Sequence, residues 1–232
     1  MAKIKFTIIT LFPEALRPYL DSSMLYKAQE RGIIEVEYVN LRDFGLGPHK
    51  SVDDTPYGGG DGMLLRCEPV FAAIESIKAY SPNAEVFLPT PVGEVWNQPL
   101  VRKFAGFSEQ NAQKRPLEAL EASIRQERTP TALPSEHPAE SVSEADFSRH
   151  YIILCPHYEG YDERIMSIVD YPISLGNYVL TGGELPALII IDSITRLLPG
   201  VLGGATSAEI ESFSDGDNLE FPQYTKPADF RG

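Results

Sequence analysis

The 232-residue sequence predicts an α/β fold built on a mainly parallel sheet. Three observations lead there. Short apolar, β-branched runs alternate along the chain with stretches whose apolar residues recur at helical spacing. Hydrophobic residues make up 43% and charged residues 23%, the balance of a globular chain rather than a disordered or fibrous one. No window approaches the roughly 18 to 20 consecutive apolar residues that span a bilayer, and the N-terminus runs into strand-like sequence with no cleavage site. The expectation is a cytoplasmic protein with no membrane partner.

The elements follow in order. Residues 3–10 alternate and then run apolar, as a central strand does, and Pro13 with Leu16, Tyr19, Leu20, Met24 and Ala28 spaces out one helix. Residues 33–41 read as a second strand. Residues 68–80, with Pro69 near the start and Phe71, Ile74 and Ile77 on one side, read as an amphipathic helix. Residues 84–88 and 151–155 are compact strands. Residues 162–169 read as a short helix, and 184–198 as a longer one with Pro186 in its first turn and Pro199-Gly200 at its end.

Two stretches depart from this pattern. Residues 108–150 hold eight Asp/Glu, five Lys/Arg and four Pro, with one helix suggested by Leu117, Leu120 and Ile124 after Pro116; a surface insertion over about 107–149 is expected. From Val201 to Gly232 the chain is rich in Gly, Ser and acids and reads as a linker. The net charge of −13 opposes non-specific polyanion binding, since nucleic-acid affinity comes largely from Lys and Arg at phosphates. Cys67 and Cys155 are too few for a disulfide framework or a four-ligand zinc site, so each is expected to be a reduced thiol.

Three segments carry possible chemistry. Pro56-Tyr57-Gly58-Gly59-Gly60-Asp61-Gly62-Met63 has four Gly in five positions, which lets backbone N–H groups approach a ligand. It lacks the Gly-Lys-Ser/Thr end of a P-loop, and a plain tight turn is the competing reading; Asp53 and Asp54 before it suit hydrogen bonds to loop amides, a turn cap or orientation of a basic partner. Cys155-Pro156-His157-Tyr158-Glu159-Gly160-Tyr161-Asp162-Glu163-Arg164 follows a strand, where open α/β sheets bind ligands, and places Glu159 to meet a ligand amine or hydroxyl. There Asp162 suits a helix cap and the lone His157 a hydrogen-bonded loop residue. Ser174-Leu175-Gly176-Asn177-Tyr178-Val179-Leu180-Thr181-Gly182-Gly183-Glu184-Leu185-Pro186 joins two Gly elements around apolar side chains and leads into a helix. Together the three suggest one nucleotide-like site.

These segments, with I-D-S-I-T-R-L-L-P-G-V-L-G and F-P-Q-Y-T-K-P after them, resemble in sequence and order the bacterial tRNA (guanine-N1)-methyltransferase family, TrmD, over residues 3–103 and 151–227. The resemblance implies a SPOUT-type domain over residues 1–200 with a deep C-terminal trefoil knot, an exception to ordinary chain topology, and a homodimer with its active site at the subunit interface. It implies methylation of N1 of guanosine 37 of tRNA, next to the anticodon, with S-adenosylmethionine as cofactor and Mg2+ as accessory ion, for which no ligand spacing is present. The cofactor loops would be Leu88, Pro89, Thr90, Pro91 and Gly93; Pro156, Tyr158, Glu159 and Gly160; and Leu175, Gly176, Asn177, Tyr178, Val179, Leu180, Gly182, Gly183 and Pro186. Tyr57, Gly58, Gly59, Gly60 and Asp61 would border the guanine, and Arg196 and Glu211 would be catalytic. The family continues beyond its linker into a basic tRNA-binding domain, which points to a longer native polypeptide.

Four positions differ from the family pattern: Pro156 for Gly, His157 for Arg, Asn177 for Asp and Glu211 for Asp. They leave a second reading, a cofactor-binding knotted dimer with little or no catalysis that serves as a dimerisation or regulatory module.

Overall fold

A computed structural model describes residues 3–107, 147–202, 211–213, 216, 218–227 and 229. Its centre is a five-stranded sheet in which every neighbouring pair is parallel, with order β2-β1-β6-β5-β8. The strands are β1 (Ile4–Thr10), β2 (Ile34–Asn40), β5 (Glu85–Val95), β6 (Arg149–Leu154) and β8 (Tyr171–Ser174). A second, three-stranded sheet pairs β3 (Asp53–Asp54) antiparallel with β4 (Leu64–Leu65), and β4 parallel with β7 (Gly160–Tyr161).

Strand alternation gives the central sheet two apolar faces. On one, Ile4, Phe6 and Ile8 of β1 and Tyr151 and Ile153 of β6 meet buried residues of α1 (Pro13–Leu20), α2 (Ser23–Glu30), α4 (Gln98–Ala105) and α5 (Glu184–Arg196). On the other, Ile9, Val86, Leu88, Ile152 and Leu154 meet α3 (Cys67–Tyr80) through Val70, Ala73, Ile74 and Ile77. This second face also carries buried polar groups near the start of β1. Lys5 Nζ lies 3.1 Å from both Glu35 and Glu37, and Thr7 shares a 2.8 Å hydrogen bond with His150. Such groups are tolerated inside because they are paired.

The fold class and the long elements agree with the sequence reading; several details correct it. The helix expected from Pro13 through Ala28 is two helices, broken at Asp21-Ser22, where Pro18 has already removed one backbone donor and two weak helix formers follow. Residues 163–168 form a 3-10 helix, with Asp162 Oδ1 accepting from the Arg164 amide at 3.0 Å. The strand expected at 84–88 runs on to Val95. Helix α4 was unforeseen, although Asn97 accepts from the Leu100 amide at 3.1 Å as its N-cap and Pro99 sits in its first turn. The two-residue strands β3, β4 and β7, and β8 with Pro172 inside it, are too short or too irregular to register as periodic runs. The helix expected near Leu117 lies outside the described residues.

An aromatic cluster anchors α4 to the sheet. The Phe104 ring lies 4.8 Å from those of Phe87 and Tyr171 and 5.7 Å from Trp96, pairs worth about 0.5–1.5 kcal/mol each beyond their burial. Trp96 Nε1 donates to Ser193 of α5 at 3.0 Å. The ends of β5 and β8 are thereby fixed to the helix that follows them.

Candidate active site

The loops after β5, β6 and β8 converge at the carboxyl ends of parallel strands, where open α/β sheets take their ligands. Both Pro89 and Glu94 pair with Ile173 of β8, so Thr90–Gly93 bulges out of register within β5. Between these loops lies a cavity of about 180 Å³. Pro89, Thr90 and Pro91 wall one side, residues 156–161 a second, and Ile173–Gly176 with Tyr178–Gly183 and Pro186 the rest.

The walls are braced within the chain. Thr90 Oγ1 and the Tyr161 hydroxyl are 2.9 Å apart, and the Gly183 amide donates to the Pro156 carbonyl at 2.8 Å. Gly183 is where two segments press together: a Cβ there would stand 2.4 Å from Pro156 Cδ and 2.6 Å from Cys155 Cα. At Gly182 a Cβ would meet Glu184 Oε2 at 2.5 Å and His157 Nδ1 at 2.9 Å. Glu184 Oε1 accepts from Thr10 at 2.8 Å, whereas His157 Nδ1 is buried without a hydrogen-bond partner among the described residues. Behind this wall, burial and the Glu184 charge push the Cys155 thiol well above its ordinary range.

The glycine-rich loop meets the cleft through Gly62. Its φ of +76° favours glycine, and a Cβ would fall 2.3 Å from Glu159 Cγ. The Glu159 amide donates to the Met63 carbonyl at 3.1 Å. Next to Glu159, Tyr158 adopts φ +67°, a costly conformation for a residue with a side chain. Burial and the Asp53 carboxylate raise its phenol, while Arg42 opposes them. Tyr57, at the loop's start, is fully exposed, and Gly58, Gly59, Gly60 and Asp61 are exposed beside it.

Most of the expected cofactor residues therefore share one cleft. Pro89, Thr90, Pro91, Pro156, Tyr158, Glu159, Gly160, Leu175, Gly176, Tyr178, Val179, Leu180, Gly182, Gly183 and Pro186 all line it. Three do not: Leu88 is buried in the core over α3, Gly93 packs on the Ile173 backbone, and Asn177 is exposed. His157, Tyr161, Ile173, Ser174 and Thr181 line it without having been singled out as cofactor contacts. Pro156 leaves the cleft open, since its carbonyl still serves Gly183.

Arg196 and Glu211 meet each other instead. Arg196 Nη1 donates to Glu211 Oε2 at 2.5 Å, and Gln98 Nε2 to Glu211 Oε1 at 3.1 Å. Fifteen residues apart in sequence, they form an ion pair whose carboxylate side chain is 12% exposed, so the longer Glu side chain is accommodated. Neither residue lines the cleft. Pro186 stands at the cleft and Arg196 ends the same helix, about 15 Å farther along at 1.5 Å per residue.

Comparison with known proteins shows what the chain as a whole is similar to. The family model described as "tRNA (Guanine-1)-methyltransferase TrmD" matches residues 4–110 and 117–232. A tRNA (guanine-N(1)-)-methyltransferase of Halalkalibacterium halodurans is 45% identical over 231 residues, covering 99% of this chain and 77% of the relative. One from Dictyoglomus turgidum is 40% identical over 229 residues, covering 99% and 76%. Among solved structures, the tRNA (m1G37) methyltransferase from Aquifex aeolicus superposes with a TM-score of 0.67 at 30% identity, covering 99% of this chain and 79% of that one.

Proposed function

The chain belongs to the tRNA (guanine-1)-methyltransferase TrmD family, and we infer that it transfers a methyl group from S-adenosylmethionine to N1 of guanosine 37 of tRNA. The observation that carries the reading is the division of the site: a cleft complete within one chain, and an Arg196–Glu211 pair about 15 Å away along α5.

The cleft suits the cofactor. Pro89, Pro91, Leu175, Leu180 and Pro186 offer apolar surface, and Gly182 and Gly183 let backbone approach closely. The bound cofactor supplies an electrophilic methyl group on a sulfonium. What the chain adds is proton and charge management. The guanine N1 proton must leave as the methyl group arrives, and Glu211 is the carboxylate that takes it, while the Arg196 guanidinium stabilises charge developing toward O6. The glycine loop, Tyr57–Asp61, borders the base.

A helix of this length separates the pair from its own cleft, so we assign each working site to two copies of the chain. Exposed apolar side chains support that assignment. Val92, Val95, Tyr178, Val179, Leu180, Leu185 and Ile189, on the cleft loops and on α5, all leave large apolar side chains exposed, the kind of surface that a second chain can cover. A knotted chain path is part of the same proposal. It is supported by the close backbone packing of Gly183 on Cys155-Pro156, where two segments far apart in sequence meet without room for a methyl group. A cytoplasmic location follows from a tRNA substrate; no described helix is long and apolar enough to cross a membrane. For the accessory Mg2+ ion the described residues offer no preassembled cage, since no group of three or more His, Cys, Asp or Glu converges among them.

The test is to incubate the protein with labelled S-adenosylmethionine and a tRNA carrying guanosine at position 37, then map the product. The expected outcome is 1-methylguanosine at that nucleotide and none when it is changed to adenosine. Methylation at another position, or in the adenosine variant, would refute the assignment.

A further inference from the structure

Two hydroxyl groups meet at the wall of the cleft with one proton more than their good acceptors can use. Thr90 of β5 and Tyr161 of β7 both line the cleft, and their oxygens are 2.9 Å apart. The Tyr161 hydroxyl also lies 3.6 Å from Met166 Sδ; among the described residues neither hydroxyl has a further hydrogen-bond partner. Each carries a single proton. If Thr90 donates to Tyr161, the tyrosine proton is left to a thioether, which is a weak acceptor. If Tyr161 donates to Thr90, the better bond is made by the more acidic donor, and the proton without an acceptor is then that of Thr90. Thr90 is only 7% exposed, so water reaches it poorly, and a donor left unpaired in such a place is costly. The phenol is held where it can do this: the Tyr161 backbone pairs with Leu65 of β4, and its ring packs against the core on the α3 side of the sheet.

We propose that Tyr161 is a positioning residue for the cofactor: by donating to Thr90 Oγ1 it turns the Thr90 proton out to the cleft, where an acceptor atom of the bound cofactor takes it. The inference deepens the proposed function and rests on it, and it names a residue that the family resemblance did not. A single polar contact set into a wall that is otherwise Pro89 and Pro91 fixes the orientation of a ligand more than it adds to its burial.

The experiment is calorimetric titration of S-adenosylhomocysteine, the unreactive product, into the intact protein and its variants. Tyr161→Phe, which removes the hydroxyl and keeps the ring, should weaken binding about three- to tenfold, as should Thr90→Val. Because the tyrosine acts only through the threonine, adding Tyr161→Phe to Thr90→Val should change affinity by less than about 1.5-fold. A merely structural tyrosine would weaken binding by the same factor in both backgrounds, and that result would overturn the proposal, as would a loss of less than about twofold in Tyr161→Phe alone. Met166→Leu gives an independent reading, since it leaves the Tyr161 proton no acceptor but Thr90 among the described residues. Its affinity should match or exceed the parent's, and a loss of about threefold or more would also overturn the proposal. Absence of binding to the parent would instead overturn the cofactor reading of the cleft, and the positioning role with it.

Discussion

The cleft between the strand-end loops and the Arg196–Glu211 pair are built on opposite principles, although one helix, α5, serves both. The cleft is closed by its own chain. Its loops are tied by the Thr90–Tyr161 and Gly183–Pro156 hydrogen bonds and by glycines whose neighbours leave no room for a side chain. The pair is a polar anchor at the far end of the helix, outside the cleft lining, with the Arg196 side chain 43% exposed. Cleft and ion pair are thus separated within one chain, and in the proposed function an assembly of two chains brings them together.

The sharpest way to break that comparison is Arg196→Ala. Losing the charge stabilisation proposed for its guanidinium should cost about 10² to 10³ in turnover, while affinity for S-adenosylhomocysteine, measured by calorimetry, should stay within about twofold because Arg196 does not line the cleft. A parallel loss of cofactor affinity would show that the two regions are not separate.

Next in size is Gly183→Ala, which attacks the other region. The added Cβ would collide with Cys155 and Pro156, an overpacking that costs about 1–3 kcal/mol, and should weaken cofactor binding at least tenfold. The two damaged chains can then be co-expressed. If each site takes its cleft from one copy and its arginine from the other, random pairing leaves half the dimers mixed with one intact site each, and activity should recover to about a quarter of the parent's. No recovery above either single variant would mean that cleft and pair work within one chain.

The same contrast explains how much was legible in sequence. The long strands and helices announced themselves by period, because each sheet face is filled by alternating residues such as Ile4, Phe6 and Ile8. Helix α4 carried an N-cap and a first-turn proline but only eight residues of pattern. Strands β3, β4 and β7 carried no period at all, since two residues cannot alternate. The cleft residues were foreseen through their resemblance to a known family, which reads motifs and not distances. It could not show that Leu88 and Gly93 support the wall instead of lining the cavity, because lining depends on which side of the sheet a residue faces and on how Thr90–Gly93 leaves the register of β8. Nor could spacing alone bring Arg196 to Glu211, a meeting set by the turn after α5 and by Gln98 of α4.

The smallest expected effect uses the two cysteines as reporters of the two environments. Cys155 ends β6 behind the cleft wall, fully buried, with its thiol pushed well upward by desolvation and the nearby Glu184 charge. Cys67 opens α3 on the other side of the sheet, partly exposed, its thiol raised by partial burial and by Asp162 while Arg164 opposes the rise. The thiolate is the nucleophile, so a raised thiol reacts less at a given pH and faster as pH climbs toward its own value. Near pH 8, iodoacetamide followed by peptide mass spectrometry should therefore modify Cys67 more slowly than a free cysteine, with a rate that rises toward pH 9. Cys155 should be modified far more slowly than Cys67 in the native protein, because reaching it requires the cleft wall to open. S-adenosylhomocysteine should protect Cys155 further and leave Cys67 unchanged, since only the first is backed by a wall the ligand holds shut. Equal labelling of the two thiols in the native state would show that the Gly183–Pro156 contact opens readily, and the contrast between a closed cleft and an open pair would lose its physical basis.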